Sequence, residues 1–469
     1  MIFSSVFFLF VFFPIALLLY FIVPWKLKNL VLLLVSLIFY AWGEPVYVFL
    51  MLFSIVFNYL SALELDHYRQ SGNERWLKLC FWFTVAVNLA MLGFFKYYGF
   101  FLDNINALLP FDIPYKELAL PVGISFYTFQ ILSYVIDVYW GNVPVQRNLI
   151  SFGAYVTMFP QLIAGPIVRY SDINEQLEHR RLTWYKFGQG VAWFIRGLGK
   201  KVLLANNIGA TYDAIAAISA DERSMLTAWI GALAYTMQIY FDFSGYSDMA
   251  IGLGKMLGFE FVRNFDYPYI SKSITEFWRR WHISLGTWFR EYIYIPLGGN
   301  RVSTMKHMRN ILVVWMLTGF WHGAAWNFIF WGLYYGLLLL LEKFFLGKYL
   351  EKLPGIVQKL YSFILVVFGW VLFSATSLSG AFSYLGNMFG IGGGFVDSTG
   401  IYYLTGNLIL LVICFLCATP FVWKRYCKLA LKKGVWPSII AAGVYTAIFV
   451  FSLAYLVNAT YNPFLYFRF

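Results

Sequence analysis

Residues 310–341 contain no Asp, Glu, Lys or Arg, and this uncharged stretch of 32 residues strongly constrains the fold. As one α-helix it would be roughly 48 Å long, whereas the hydrocarbon core of a bilayer is about 30 Å thick. A soluble domain has no place for such a segment, so the chain must cross a membrane, and the segment itself must tilt or break.

The composition of the whole chain supports a membrane protein. Hydrophobic residues make up 60% and charged residues only 12%, against roughly 25% charged residues in soluble domains. These values exclude a cytosolic globular enzyme, a disordered protein and a secreted disulfide scaffold. Because the apolar runs are long rather than short and alternating, an outer-membrane barrel is excluded as well. The predicted fold class is therefore all-α and polytopic.

Apolar runs of membrane-spanning length recur from one end of the sequence to the other. We expect ten to twelve transmembrane helices, plus re-entrant or short helices, in a single integral-membrane domain over residues 1–469. The runs lie at 1–23, 29–42, 46–63, 76–100, 118–139, 149–168, 188–210, 225–257, 310–341, 357–378, 401–423 and 436–458.

The basic residues of the early loops predict the orientation of the chain. Lys26 and Lys28 follow the first run, the link at 43–46 has no Lys or Arg, and the link at 64–78 carries three basic residues. Since basic loops stay on the cytoplasmic side, the N-terminus is predicted outside. The net charge of +12 fits contact with anionic membrane lipids, and no nucleic-acid-binding motif accompanies it.

The sequence indicates where the uncharged stretch breaks. Residues 318–323 read Thr-Gly-Phe-Trp-His-Gly, with two glycines around Phe-Trp-His. Interrupted backbone at membrane depth is tolerated only inside protein or beside a wet cavity, and an ionisable residue there is a candidate functional residue. His322 is that residue. The alternative is a hydrogen-bonded core histidine, and the pattern alone does not separate the two.

Residues 264–301 form the densest polar and aromatic stretch of the chain. Ser273 (or Ser271) followed by Glu276 has the pattern of a capped helix start. The helix predicted to follow would place an apolar stripe on one face and Arg279 with His282 on a neighbouring face. The stripe consists of Trp281, Leu285 and Trp288.

This predicted helix has two interpretations. It can be an interfacial amphipathic helix whose arginines extend towards water. It can also be a cytoplasmic vestibule, in which Arg279, Arg280 and Arg290 attract a phosphorylated donor and Trp rings such as Trp281 flank an access slot. Helical periodicity alone slightly favours the first.

Two carboxylates interrupt an apolar run at Asp242 and Asp248. Buried carboxylates are costly, so we expect them to pair with Arg or Lys, or to accept hydrogen bonds from Tyr. The sequence shows no Walker loop, no Rossmann glycine pattern after a strand, no His-Glu-x-x-His and no Gly-x-Ser-x-Gly. We therefore expect no tightly bound metal or nucleotide.

Several motifs together carry a family resemblance. With Trp-Arg-Arg-Trp-His-Ile-Ser-Leu at 278–285 and Gly-Phe-Trp-His-Gly at 319–323, the sequence resembles the membrane-bound O-acyltransferase (MBOAT) superfamily. Further motifs are similar to its polysaccharide O-acetylation branch, typified by the alginate O-acetylation membrane subunit. They lie at 159–167, 242–248, 288–301 and 462–469.

The resemblance implies a ring of helices around a central tunnel in the bacterial inner membrane. It implies transfer of an acyl group from a cytoplasmic thioester, with acetyl-CoA as the expected donor, to an acceptor on the outer side. Its hallmark histidine falls on His322, and its second position falls on His282. The branch also implies a polysaccharide acceptor and a hydrolase-like acetyltransferase partner outside the membrane.

On this basis we expect His322 to act as the general base, because a neutral imidazole with a pKa near 6.5 accepts a proton at working pH. Asn327, or Tyr334 or Tyr335, would orient it. His282 would lie nearer the cytoplasmic mouth and help to hold the thioester. Further substrate-binding candidates are Arg279, Arg280, Trp281 and Asp242.

Two other functions remain open at this level. A D-alanyl transferase of the teichoic-acid type would take its acyl group from a carrier-protein thioester and shares the Arg-Trp-His core. A transporter would also contain broken helices and buried carboxylates. The absence of detectable inverted halves in the sequence and the paired histidine motifs count against a transporter.

Overall fold

The computed structural model describes residues 1–163, 165–430, 435–458, 462 and 465. Over these residues the chain forms helices joined by turns and loops, and none of them lies in a β-strand. The all-α prediction is therefore confirmed. The described chain separates into two compact units, Met1–Phe194 with Met249–Val262 and Ile195–Asp248 with Arg263–Phe469.

The first unit is built from helices of the N-terminal part of the chain. They are α1 (Phe13–Ile22), α2 (Lys28–Ala41), α3 (Tyr47–Gln70), α4 (Glu74–Asn106), α5 (Ile124–Trp140), α6 (Leu149–Thr157), α7 (Phe159–Leu162) and α8 (Tyr170–Glu178). Two helices change unit along their length, and they are α9 (Trp184–Gly199) and α11 (Met225–Met256). Between them, a π-helical turn, Lys200–Ala205, joins α9 to α10 (Asn206–Ala216).

The second unit contains the helices that carry the two histidine motifs. They are α12 (Ile274–Arg280), α13 (Ile283–Phe289), α14 (Thr304–His322), α15 (Trp326–Leu341), α16 (Gly347–Leu350), α17 (Gly355–Ser374), α18 (Leu378–Met388), α19 (Ser398–Cys417), α20 (Pro420–Ala430) and α21 (Val435–Asn458). Short π-helical turns, Arg290–Tyr294 and Glu342–Leu346, follow α13 and α15.

Six helices in the described ranges are long and apolar enough to cross a membrane. They are Tyr47–Gln70, Glu74–Asn106, Trp326–Leu350, Gly355–Ser374, Ser398–Cys417 and Val435–Asn458. A multi-pass membrane protein is thus confirmed. The higher count of ten to twelve crossings, the central tunnel, the single domain and the outward N-terminus stay predictions.

A buried amide pair shows how polar groups are satisfied inside the first unit. Asn58 on α3 and Asn88 on α4 each donate to the other's side-chain oxygen, at 3.1 and 2.7 Å, and both are almost fully buried. Each also donates to a carbonyl oxygen one turn earlier in its own helix. Such interhelical hydrogen bonds tie helices together where water is absent.

A glycine crossing holds α14 against α15 in the second unit. A Cβ atom at Gly319 would lie 2.3 Å from the carbonyl oxygen of Phe328 and 3.2 Å from the Cα of Gly332. A Cβ at Gly332 would in turn lie 2.3 Å from the carbonyl oxygen of Trp315. The two backbones therefore approach at a distance that only glycine allows, as small residues do in membrane helix pairs.

Candidate active site

His322 lies where the long uncharged stretch is interrupted. Helix α14 ends at His322, Gly323 is extended, and α15 begins at Trp326. The stretch therefore forms two helices, and the break follows directly after the Phe-Trp-His segment in which it was predicted. His322 is thus the last residue of α14, and its side chain lines a cavity.

The cavity beside His322 is small and mostly aromatic. Its volume is about 10 Å³, room for about one water molecule. His322 is 93% buried, and its ring contacts the rings of Trp331 and Phe373 edge-on, with centroids 5.1 and 5.2 Å apart. The cavity is lined by His322, Ile239, Asp242, Phe243, Trp281, Trp331, Trp370, Phe373 and Leu465.

His282 lies at a sharp bend, not inside a helix. Helix α12 ends at Arg280, and His282 takes the left-handed conformation, with φ of 45°, before α13 begins at Ile283. The capped start at Ser273 is confirmed, because its hydroxyl accepts the N–H of Glu276 at 3.0 Å. The single continuous helix expected from Ser273 to Trp288 is wrong, and so is the shared helical face of Arg279 and His282.

Asn264 explains the bend. Its backbone oxygen accepts the N–H of Ile283 at 3.0 Å, and its side-chain oxygen accepts the N–H and hydroxyl of Ser284 at 3.1 and 2.9 Å. Two residues later, the N–H of Asp266 donates to the carbonyl oxygen of Arg280. The preceding segment thus takes up hydrogen-bonding groups that a continuous helix would use internally.

The same asparagine sets the protonation of His282. Because Asn264 Oδ1 accepts the Ser284 N–H, it is an oxygen, and the Nδ1 of His282 at 3.2 Å must carry the proton that it accepts. Nε2 then bears the lone pair, and it is buried without a hydrogen-bond partner among the described residues. Burial lowers the pKa of His282 from 6.5 to about 3, so its imidazole is neutral at physiological pH.

The two histidines belong to one aromatic cluster. The His282 ring contacts Phe243, a residue of the cavity wall, with centroids 4.7 Å apart, and lies 6.2 Å from the ring of Trp321. Trp321 in turn contacts His322 at 5.0 Å. His282 therefore packs behind the cavity wall, whereas His322 forms part of it.

The two arginines of α12 have different surroundings. Arg280 is held by the carboxylate of Glu276 at 2.9 Å and lies 3.6 Å from that of Asp266. Arg279 is exposed. Trp281, which follows Arg280, is buried and lines the cavity. Of the predicted vestibule residues, Trp281 therefore lines the same cavity as His322, whereas Arg279 lies on the surface.

The buried carboxylates of α11 are paired with cations, as the sequence predicts. Asp248 lies 3.2 Å from the Nε of Arg196 and 2.9 Å from the Nζ of Lys200. Asp242 lies 2.5 Å from the Nζ of Lys201 through one oxygen, and its other oxygen accepts the N–H of Leu465 at 2.9 Å. Asp242 thus lines the cavity with both oxygens engaged by the protein.

The residues expected to orient His322 contact other groups. The side-chain nitrogen of Asn327 donates to the carbonyl oxygen of Ala375 at 2.8 Å, and the Tyr334 hydroxyl donates to that of Leu365 at 2.8 Å. Tyr335 is fully buried against Trp331, with ring centroids 5.2 Å apart. Their proposed role in orienting the histidine stays a prediction.

Glu342 is an important residue that sequence reasoning missed. Its buried carboxylate accepts the N–H of Ile274 at 2.6 Å and both the N–H and hydroxyl of Thr275 at 2.9 and 2.7 Å. It thereby satisfies the first amides of α12, the helix that leads to Trp281 and His282. The available signal was that Glu342 is the first charge after the 32-residue uncharged stretch.

Comparison with known proteins gives the family. The model of the membrane-bound O-acyltransferase family matches residues 142–384. A probable alginate O-acetylase of Azotobacter vinelandii is 46% identical over 84% of this chain and 79% of its own length. One of Pseudomonas putida is 42% identical over the full length of both chains. A peptidoglycan O-acetyltransferase of Helicobacter pylori is 37% identical over 84% of this chain and 80% of its own.

Both histidine motifs fall inside the matched region, and so do most of the residues that line the cavity. The predicted family, its acyltransferase chemistry and the multi-pass membrane character are therefore confirmed together. The chain belongs to the membrane-bound O-acyltransferase family and is an acyltransferase.

Proposed function

We propose that this chain transfers an acetyl group from a cytoplasmic thioester, with acetyl-CoA as the donor, across the membrane to a hydroxyl group. The acceptor is an extracytoplasmic polysaccharide or a hydroxyl of a partner acetyltransferase. The observation that carries the proposal is the position of His322 on the wall of a cavity at a broken helix. The similar proteins named for O-acetylation of alginate and peptidoglycan support an acetyl group.

His322 acts as the general base in this reaction. Its imidazole nitrogen takes the proton of the acceptor hydroxyl while the oxygen attacks the thioester carbonyl carbon. The C–S bond then breaks, the ester is released, and the proton passes from the imidazolium to the thiolate. A positioned general base of this kind accelerates proton transfer by roughly 10²–10⁴-fold.

The surrounding residues exclude water, hold other side chains in position or bind the donor, but they do not take part in the proton transfer. The rings of Trp281, Trp331 and Phe373 line the cavity and leave little room for water, which limits hydrolysis of the thioester. His282 stays neutral, and its ring packs against Phe243, a residue of the cavity wall. We therefore assign it a positioning role. The exposed guanidinium of Arg279 is available to the phosphates of the donor.

The test is acetyl transfer by purified chain in proteoliposomes, with the ester identified by mass spectrometry. The variant His322→Ala should lose roughly 10²–10⁴-fold in transfer rate with normal expression. His307→Ala, which changes a buried histidine of the same helix that does not line the cavity, is the matched control and should keep its rate.

Three outcomes would contradict parts of the proposal. Undiminished transfer by His322→Ala would refute the base assignment. An alanyl ester in place of an acetyl ester would refute the donor group. Solute uptake without donor consumption would favour a transporter. If no extracytoplasmic acetyltransferase copurifies with the chain from acetylating cells, the proposal that the acceptor hydroxyl belongs to a partner protein is refuted.

A further inference from the structure

Asn462 and Leu465 both form hydrogen bonds with distant residues of the second unit. The side-chain oxygen of Asn462 accepts a hydrogen bond from the side-chain nitrogen of Asn206 at 3.1 Å. The backbone N–H of Leu465 donates to Asp242 Oδ2 at 2.9 Å, across 223 positions of the sequence. Both residues belong to the terminal Asn-Pro-Phe-Leu motif, which the transfer chemistry itself does not explain.

The attachment at Leu465 brings its side chain to the cavity beside His322. Leu465 is 97% buried and lines that cavity together with Asp242 and Ile239. Leu465 therefore supplies part of the cavity wall. Its side chain ends in two methyl groups, and the remaining volume of about 10 Å³ admits little more than one water molecule.

A buried ion pair holds the acceptor of this hydrogen bond in place. The side chains of Asp242 and Lys201 are only 3% and 2% exposed, and their charged atoms are 2.5 Å apart. A carboxylate keeps its charge in such an interior only with a cation beside it. The ion pair with Lys201 therefore holds the Asp242 side chain in position to accept the hydrogen bond from the Leu465 N–H.

A π-helical turn brings Lys201 and Asn206 towards the same face of their helix. Lys201 and Asn206 are five residues apart, which in a regular α-helix would rotate them by about 140° from each other. The turn Lys200–Ala205 is π-helical, and its hydrogen bonds join residues five apart. The wider turn brings Lys201, which holds Asp242, closer to the face that carries Asn206.

We propose that Asp242 and Lys201 are positioning residues for Leu465, and that Leu465 in this position limits the size of the acyl group accepted beside His322. This inference rests on the proposed acetyl transfer. With Leu465 in place the cavity has no free space for a longer acyl chain. Truncation to Ala removes three carbon atoms, which frees more space than the two additional methylene groups of a butyryl chain require.

The first test compares transfer rates with acetyl-CoA and butyryl-CoA in proteoliposomes. In Leu465→Ala the ratio of butyryl to acetyl transfer should rise at least tenfold. Leu411→Ala is the matched control, because Leu411 is also a buried leucine of the second unit but does not line this cavity. Its ratio should stay at the wild-type value. An unchanged ratio in Leu465→Ala, with acetyl transfer intact in the wild type, overturns the inference and leaves the proposed function standing.

The second test needs no activity and follows docking directly. A cysteine introduced as Leu465→Cys, in a background without the four native cysteines, should react slowly with a maleimide and at least tenfold faster when Asp242→Ala is added. Asp221→Ala, at an exposed carboxylate, should leave the labelling rate unchanged. Equal labelling with and without Asp242→Ala overturns the docking role, even if the wild type transfers no acetyl group.

A double variant tests the role of the ion pair between Lys201 and Asp242. The double change Lys201→Met with Asp242→Asn keeps an oxygen acceptor for the Leu465 N–H and leaves no unpaired buried charge. It should restore slow labelling, whereas Lys201→Met alone should label fast. Fast labelling in the double variant would show that the hydrogen bond to Asp242 does not hold Leu465 in place.

Discussion

The crossing of α14 and α15 gives a sharp prediction, because it leaves no space for a single methyl group. In Gly319→Ala the new Cβ would lie 2.3 Å from the carbonyl oxygen of Phe328, about 1 Å closer than ordinary contact. The oxygen belongs to the backbone, so the helices themselves must separate. Overpacking of this kind costs about 1–3 kcal/mol.

A matched change separates the clash from the general effect of alanine. In a helix interior Ala is favoured over Gly by roughly 0.5–1 kcal/mol, and this gain applies to any helical glycine. Gly406 lies within α19, and a Cβ there would meet nothing within 4 Å. Gly406→Ala should therefore be neutral or stabilising. Because the gain of alanine over glycine is common to both variants, they should differ by the overpacking cost of about 1–3 kcal/mol.

The assay is thermal unfolding of the detergent-purified protein, followed by tryptophan fluorescence, with acetyl transfer measured in parallel. Gly319→Ala should melt below the wild type and lose activity, because His322 lies one helical turn later and contacts Trp331 on α15. Gly406→Ala should melt at or above the wild type. Equal melting temperatures and equal activities in the two variants would refute the reasoning that the crossing is filled.

Two further predictions concern the bend that carries His282. Since burial lowers the pKa of His282 to about 3, the unfolded chain binds a proton between pH 3 and 6.5 that the folded chain does not, and stability falls as the pH drops through that range. His282→Gln should flatten this dependence of the melting temperature on pH, and identical slopes would contradict it. Replacing Glu342 by Ala leaves the first amides of α12 without their buried acceptor and should cost about 1–3 kcal/mol. The exposed Glu351→Ala control should cost little in the same melting experiment, and an equal loss would contradict the capping role.

The structure divides the two histidines by environment. His322 faces a cavity at the end of a helix, while His282 is enclosed and held in one tautomer by Asn264. A histidine that stays neutral to about pH 3 is a poor proton acceptor at neutral pH, because its conjugate acid is too strong. These environments are consistent with the proposed roles, in which His322 is the base and His282 is a positioning residue.

Sequence alone determined the features that depend on local pattern and on the membrane as solvent. Apolar runs fixed the all-α class, since only hydrogen bonding within each segment satisfies backbone groups in lipid. The excess length of 310–341 required a break, and its glycines located that break beside His322. The capped start of α12 at Ser273 followed from side-chain spacing, because a cap involves residues only three apart.

Tertiary structure decided everything that depends on partners far away in the sequence. The bend at His282 results from hydrogen bonds to Asn264, 18 positions earlier, and helical periodicity within 273–288 contains no sign of them. The wall at Leu465 depends on Asp242, 223 positions away. Periodicity records which face of a helix is apolar, but a buried charge or amide can be satisfied by any partner that the fold brings near. Only the packed chain shows which partner it is.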